Sequence, residues 1–85
     1  MANWKYSINI KNEWQKAKNG QMSIKELVKI IVPKFQKNPL NDDDLEDLLW
    51  ELEQLDDTAQ TSDFDEIWES IYDWADEKRV WIKTI

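Results

Sequence analysis

Carboxylates are the groups in this chain that are numerous and clustered enough to do chemistry. Sixteen of the eighteen Asp and Glu residues fall between Asn38 and Glu77, a stretch without a single Lys or Arg. Such a cluster offers three kinds of chemistry: ligation of a hard divalent cation, a general acid and base pair, or electrostatic docking onto a cationic surface. Cation binding would centre on Asn41-Asp42-Asp43-Asp44. That run has the composition of a calcium loop but not its alternating ligands or its glutamate at the twelfth position, and Gly20 is the only glycine of the chain. Specific metal binding is therefore not expected.

Catalysis has still less to work with. His and Cys are both absent, which removes the usual base near neutral pH, thiolate nucleophiles, disulfides and the commonest zinc ligands. No glycine-rich phosphate loop or nucleophile elbow occurs. Two carboxylates acting as acid and base need a cleft, and 85 residues leave little volume for one beside a core. The expectation is a protein that is not an enzyme and carries no cofactor.

Docking remains, and the charge pattern favours it. Residues 1–37 carry eight lysines against Glu13 and Glu26, residues 38–77 carry only acids, and Lys78, Arg79 and Lys83 close the chain, for a net charge of −7. A division this sharp shapes the electrostatic field and the choice of partner. Direct nucleic-acid binding is not expected, because phosphate affinity follows cationic surface. Lysines interleaved with Trp4, Tyr6 and Trp14 would form only a modest basic and aromatic patch. No apolar run approaches the ~20 residues of a membrane span, and no signal-peptide core is present. A cytoplasmic protein with no membrane contact is expected.

The elements that must display these charges are legible in the periodicity. Trp4, Tyr6, Ile8 and Ile10 alternate with polar residues, which predicts a half-buried strand, and Val80–Ile85 predicts a second. Antiparallel pairing of the two is expected. Asn12 is placed to cap a short helix over Glu13–Lys18, closed by Asn19-Gly20, where glycine accepts a left-handed conformation. Ser23-Ile24-Lys25-Glu26 matches a capping box ahead of Ile24, Leu27, Val28, Ile31 and Phe35 at helical spacing. Pro33 predicts a kink or stop there. Asn41 is placed to cap a helix with Leu45, Leu48, Leu49, Leu52 and Leu55 on one stripe, its first turn filled with anions that suit the dipole. After a polar break over Asp57–Thr61, Ser62 is placed to cap a last helix with Phe64, Ile67, Trp68, Ile71, Trp74 and Ala75 on one face.

On the two acidic helices the carboxylates fall opposite the apolar stripes. Glu46, Asp47, Glu51 and Glu53 occupy the first, with Asp43 in its opening turn; Asp65, Glu69, Asp73 and Asp76 occupy the second. Asp65, Glu69 and Asp73 are successive i,i+4 neighbours, an arrangement that destabilises a helix by a few tenths of a kcal/mol per pair. Trp50 lies nearly opposite the leucine stripe, among Asp43, Glu46, Asp47 and Glu53. A tryptophan ringed by polar groups is a typical interface anchor. The plainer alternative is a solvated face, with some acids paired to lysines of the first half and Trp50 covered by a neighbouring element.

The sequence thus predicts an α+β, predominantly helical fold: three main helices, or a short helix plus main helices, packed with a small two-stranded antiparallel sheet formed by the N- and C-terminal segments. An all-α bundle with extended termini is the alternative. One small domain over 1–85 is expected, with a basic segment 1–37, an acidic helical segment 38–77 and a terminal strand 80–85. The functional expectation is a non-catalytic acidic module that contacts the basic surface of a partner protein through Trp50, Asp43, Glu46, Asp47, Glu51, Glu53, Asp65, Glu69, Asp73 and Asp76. A nucleic-acid-binding protein is the leading partner class, and inhibition of it by mimicry of nucleic acid is the alternative mode. The alternative is a small homo-oligomeric structural protein in which basic and acidic segments of different copies meet.

Overall fold

The apolar stripes of the three longer helices become their buried sides, whereas of the N-terminal alternating run only Ile8 and Ile10 are buried and Trp4 and Tyr6 stay exposed. The computed structural model describes residues 3–56 and 61–85. It runs β1 (Tyr6–Asn9), α1 (Lys11–Lys18), α2 (Ile24–Gln36), α3 (Asp43–Glu53), α4 (Thr61–Lys78) and β2 (Val80–Lys83). Leu27, Val28, Ile31, Val32 and Phe35 of α2 are buried with Leu45, Leu49 and Leu52 of α3. Phe64, Trp68, Ile71, Trp74 and Ala75 of α4 complete the cluster with Ile8, Ile10 and Val80 from the sheet region. The chain is therefore predominantly helical with a small sheet, as the periodicities predict.

The strand direction and the helix count differ from expectation. β1 and β2 pair in parallel, with Tyr6 opposite Val80 and Asn9 opposite Lys83. Alternation fixes which face of a strand is buried but carries no information on its direction. Direction is set by how α4 delivers the chain: Arg79, at a positive φ of 63°, turns it directly into β2. The Lys5 N–H donates to the Arg79 carbonyl at 2.7 Å, and the Ile10 N–H donates to the Lys83 carbonyl at 3.0 Å, so both ends of the ladder are bracketed. A parallel pair needs a long crossover, and four helices supply it here rather than three. The short α1 is a full element, fixed to the core by Trp14, whose ring stacks on Trp68 at 5.0 Å.

Helix ends show where local chemistry was read correctly and where it was displaced by a residue. The Ser23 Oγ accepts from the Glu26 N–H at 3.1 Å, and α2 runs three residues past Pro33 before Lys37 caps it. Buried Asn38 donates its amide to the Phe35 carbonyl and accepts from the Leu40 N–H at 2.9 Å. Gly20, at φ 76°, completes a Schellman closure of α1: its N–H donates to the Ala17 carbonyl and that of Gln21 to the Lys16 carbonyl. Asn12 is not the cap of α1. That helix begins at Lys11 with Ile10 at the cap position, while the Asn9 side chain accepts from the Lys11 N–H at 3.0 Å.

Asn41 does not cap α3 either, because Asp42 holds that place and accepts from the Leu45 N–H at 3.0 Å. Asn41 instead donates its amide to Glu46 at 2.7 Å. Ser62 lies inside the first turn of α4, which begins at Thr61. The polar break expected over Asp57–Thr61 falls, as far as residue 60, outside the described residues.

Candidate functional site

Asp42 organises the acidic half. Its Oδ1 caps α3 and also accepts from the Trp74 indole N–H of α4 at 2.9 Å, while its Oδ2 meets the Lys78 ammonium at 3.3 Å. The first turn of α3 is thereby fastened to the last turn of α4, so the two helices lie side by side and run in opposite directions. Opposed dipoles suit that arrangement, and Lys78 places a cation at the negative end of α4. Burial pushes the Asp42 carboxyl upward. The Leu45 N–H, the Trp74 indole and the bond and charge of Lys78 outweigh it and hold the group below the ordinary aspartate range.

From this frame the acidic residues project outward. Asp43, Glu46, Asp47, Glu51 and Glu53 of α3 are all exposed, as are Asp65, Glu69, Asp73 and Asp76 of α4. At about 100° per residue, Asp43, Glu46, Asp47 and Glu53 gather around Trp50, and Glu51 falls on the other flank of α3. Trp50 is 62% exposed and is the most open tryptophan of the chain. Neither α4 nor a strand covers it. Tyr72, 40% exposed, borders the α4 acidic stripe with its ring edge-on to Trp68.

Among the described residues, none of the carboxylates around Trp50 or along the α4 stripe forms an ion pair, and only Glu46 has a hydrogen-bond partner, Asn41. Lys34 is engaged elsewhere, with Glu13 at 3.0 Å and the Asn9 carbonyl at 3.1 Å. Burial pushes the Glu13 carboxyl upward, but its own backbone N–H, the Lys34 bond and charge, and the charge of Lys16 lower it on balance.

Other chemistry finds little support in the geometry. Among the described residues no group of three carboxylates is arranged to hold a metal ion, and no helix is long and apolar enough to cross a membrane. A groove of about 220 Å³ opens between α1, α2 and the start of α4, lined by Trp14, Ala17, Ile24, Leu27 and Phe64. Among the described residues Lys18 and Asp65 are its only ionisable neighbours, which make no carboxylate pair.

Sequence reasoning placed the surface carboxylates and Trp50 but missed the role of Asp42. Asp42 was visible only as one of three consecutive aspartates. Nothing in the sequence marks its partners, because Trp74 lies a whole helix away. The chain matches none of the known protein families, curated proteins or solved structures with which it was compared.

Proposed function

We propose that this protein is a non-catalytic interaction module whose acidic helical surface, centred on Trp50, docks on a basic surface of a partner protein. The observation that carries this reading is an indole 62% exposed among carboxylates that form no ion pair in the described structure. Exposing a tryptophan forgoes burial of on the order of 200 Å², and uniform negative charge along α4 adds repulsion between i,i+4 neighbours. Neither serves the fold. Both serve association: aromatic anchors contribute affinity, and opposed potentials steer encounter and fix register.

A nucleic-acid-binding protein is the partner class that fits this surface. Asp65, Glu69 and Asp73 are spaced about 6 Å apart along α4, a linear array of anions of the kind that a phosphate-binding groove accepts. Inhibition by occupying that groove is the corresponding mode of action.

Wild-type chain and the Trp50→Ala/Asp47→Lys/Glu51→Lys variant, immobilised in parallel and exposed to extract of the source cells, test the reading. A protein retained by the wild type, lost with the variant and displaced by duplex DNA supports it. Equal capture by both would return the acidic face to the status of a solvated surface. All three positions are exposed, and circular dichroism establishes that the variant remains folded.

A further inference from the structure

Pairing of β1 with β2 builds a surface that neither segment has alone. By the pleat, Ser7 and Asn9 share with Trp81 and Lys83 the face turned away from buried Ile8 and Val80. A bend at Lys5 carries Trp4 to the same side, where its ring meets Trp81 edge-on at 5.2 Å. Both indoles stay open, Trp4 at 40% and Trp81 at 44% exposure. Lys5, Arg79 and Lys83 are exposed in these same segments, and neither 3–12 nor 78–85 contains an Asp or Glu. The result is a strand pair flanked by basic side chains, with Lys83 on the face that bears two tryptophans, on a chain whose α3 bears an acidic face with one.

We propose that the sheet face docks the acidic Trp50 face of α3 from a second copy, so that copies associate head to tail. The inference rests on the reading of α3 as a docking surface and gives that surface a second occupant, in competition with the partner. Charge complementarity carries it: Lys5, Arg79 and Lys83 on one side, Asp43, Glu46 and Asp47 on the other, with exposed indoles at both centres. A single copy leaves both faces open, with Trp4 and Trp81 on one and Trp50 on the other all exposed. The contact joins two different patches, so it propagates into chains or closes into rings. The net charge of −7 opposes approach at long range. At physiological salt, however, charge is felt over only about 8 Å, well inside the 20 Å of the molecule's thinnest dimension.

Sedimentation of the full chain from about 10 µM to about 1 mM covers the range in which a contact smaller than a standard interface becomes populated. The weight-average mass should rise with concentration at ~0.15 M salt and return to that of the monomer at ~1 M. Lys5→Glu/Lys83→Glu and Trp50→Ala/Asp47→Lys should each weaken association by at least ~10-fold. An equimolar mixture of the two should recover it, but only as one-to-one dimers, because each variant keeps a different intact face. Lys83→Glu alone reads the same face without touching the Lys5 contact, should the double change disturb folding. A wild type that stays monomeric throughout, or a mixture that forms no dimer, would overturn the proposal. So would a monomer whose sheet face instead binds a short oligothymidylate in a Lys83-dependent way, which would assign that face to single-stranded nucleic acid. Loss of partner capture with self-association intact would sink only the partner reading; the converse would sink only this one.

Discussion

Asp42→Ala should destabilise the protein by about 2–4 kcal/mol, although Asp42 sits in a run of three aspartates that looks interchangeable. Loss of a helix N-cap costs about 1 kcal/mol. The Trp74 indole N–H, on a side chain 5% exposed, would lose its acceptor, and an orphaned buried donor costs about 1–3 kcal/mol. Lys78 is 39% exposed, so its ion pair adds no more than about 1 kcal/mol. Asp42→Asn separates these contributions. The amide oxygen can take over Oδ1, which accepts from both Leu45 and Trp74, and what is lost is the exposed pair with Lys78, its bond and its charge, at Oδ2. That variant should fall within about 1 kcal/mol of the wild type. Urea unfolding followed by tryptophan fluorescence measures both changes, and the alanine variant should melt on the order of 10 °C lower or more. An alanine variant as stable as the wild type, or an asparagine variant as weak as the alanine one, would refute this account of Asp42.

The same carboxylate fixes a pH dependence. Its folded pKa lies below its unfolded value, so its stabilisation is complete above the ordinary aspartate range and is lost as pH falls through the lowered folded pKa. The stability gap between wild type and Asp42→Asn, followed by urea titration, should therefore shrink as pH falls below about 4. Arg79→Gly should stabilise the protein by about 0.5–1 kcal/mol by removing the penalty of a side chain at positive φ; an unchanged midpoint would show that Arg79 is held there by compensating contacts. Glu69→Lys should raise the thermal midpoint by several degrees, since two repulsive i,i+4 pairs become attractive. A drop would mean that the stripe is neutralised in a way the geometry does not show.

Periodicity made the interior legible: the stripes on α2, α3 and α4 and the cap at Ser23 are local patterns that a sequence displays directly. What escaped it was relational. Which of Asn41 and Asp42 caps α3 depends on Trp74 and Lys78 arriving from another helix, and a spacing rule sees neither. Trp4 and Tyr6 belong to an alternating run yet remain exposed, because the bend at Lys5 and the edge of a two-stranded sheet leave them uncovered. Of the proposed docking surface, the carboxylates and Trp50 follow from their angular positions on α3 and α4. The sheet face does not, since its two halves lie roughly seventy residues apart in the chain and meet only through the ladder.

Parallel rather than antiparallel pairing also decides how this protein resists force. Tension applied before β1 and after β2 pulls the two strands along their length in opposite directions. Every ladder bond between Lys5–Arg79 at one end and Ile10–Lys83 at the other is then loaded at once, in shear. Antiparallel strands held by the same ends would open like a zip, one bond at a time. Yield under load is governed by the unfolding rate rather than by equilibrium stability. Pulled along this axis, the short ladder is thus the element that must shear before load reaches the helices behind it.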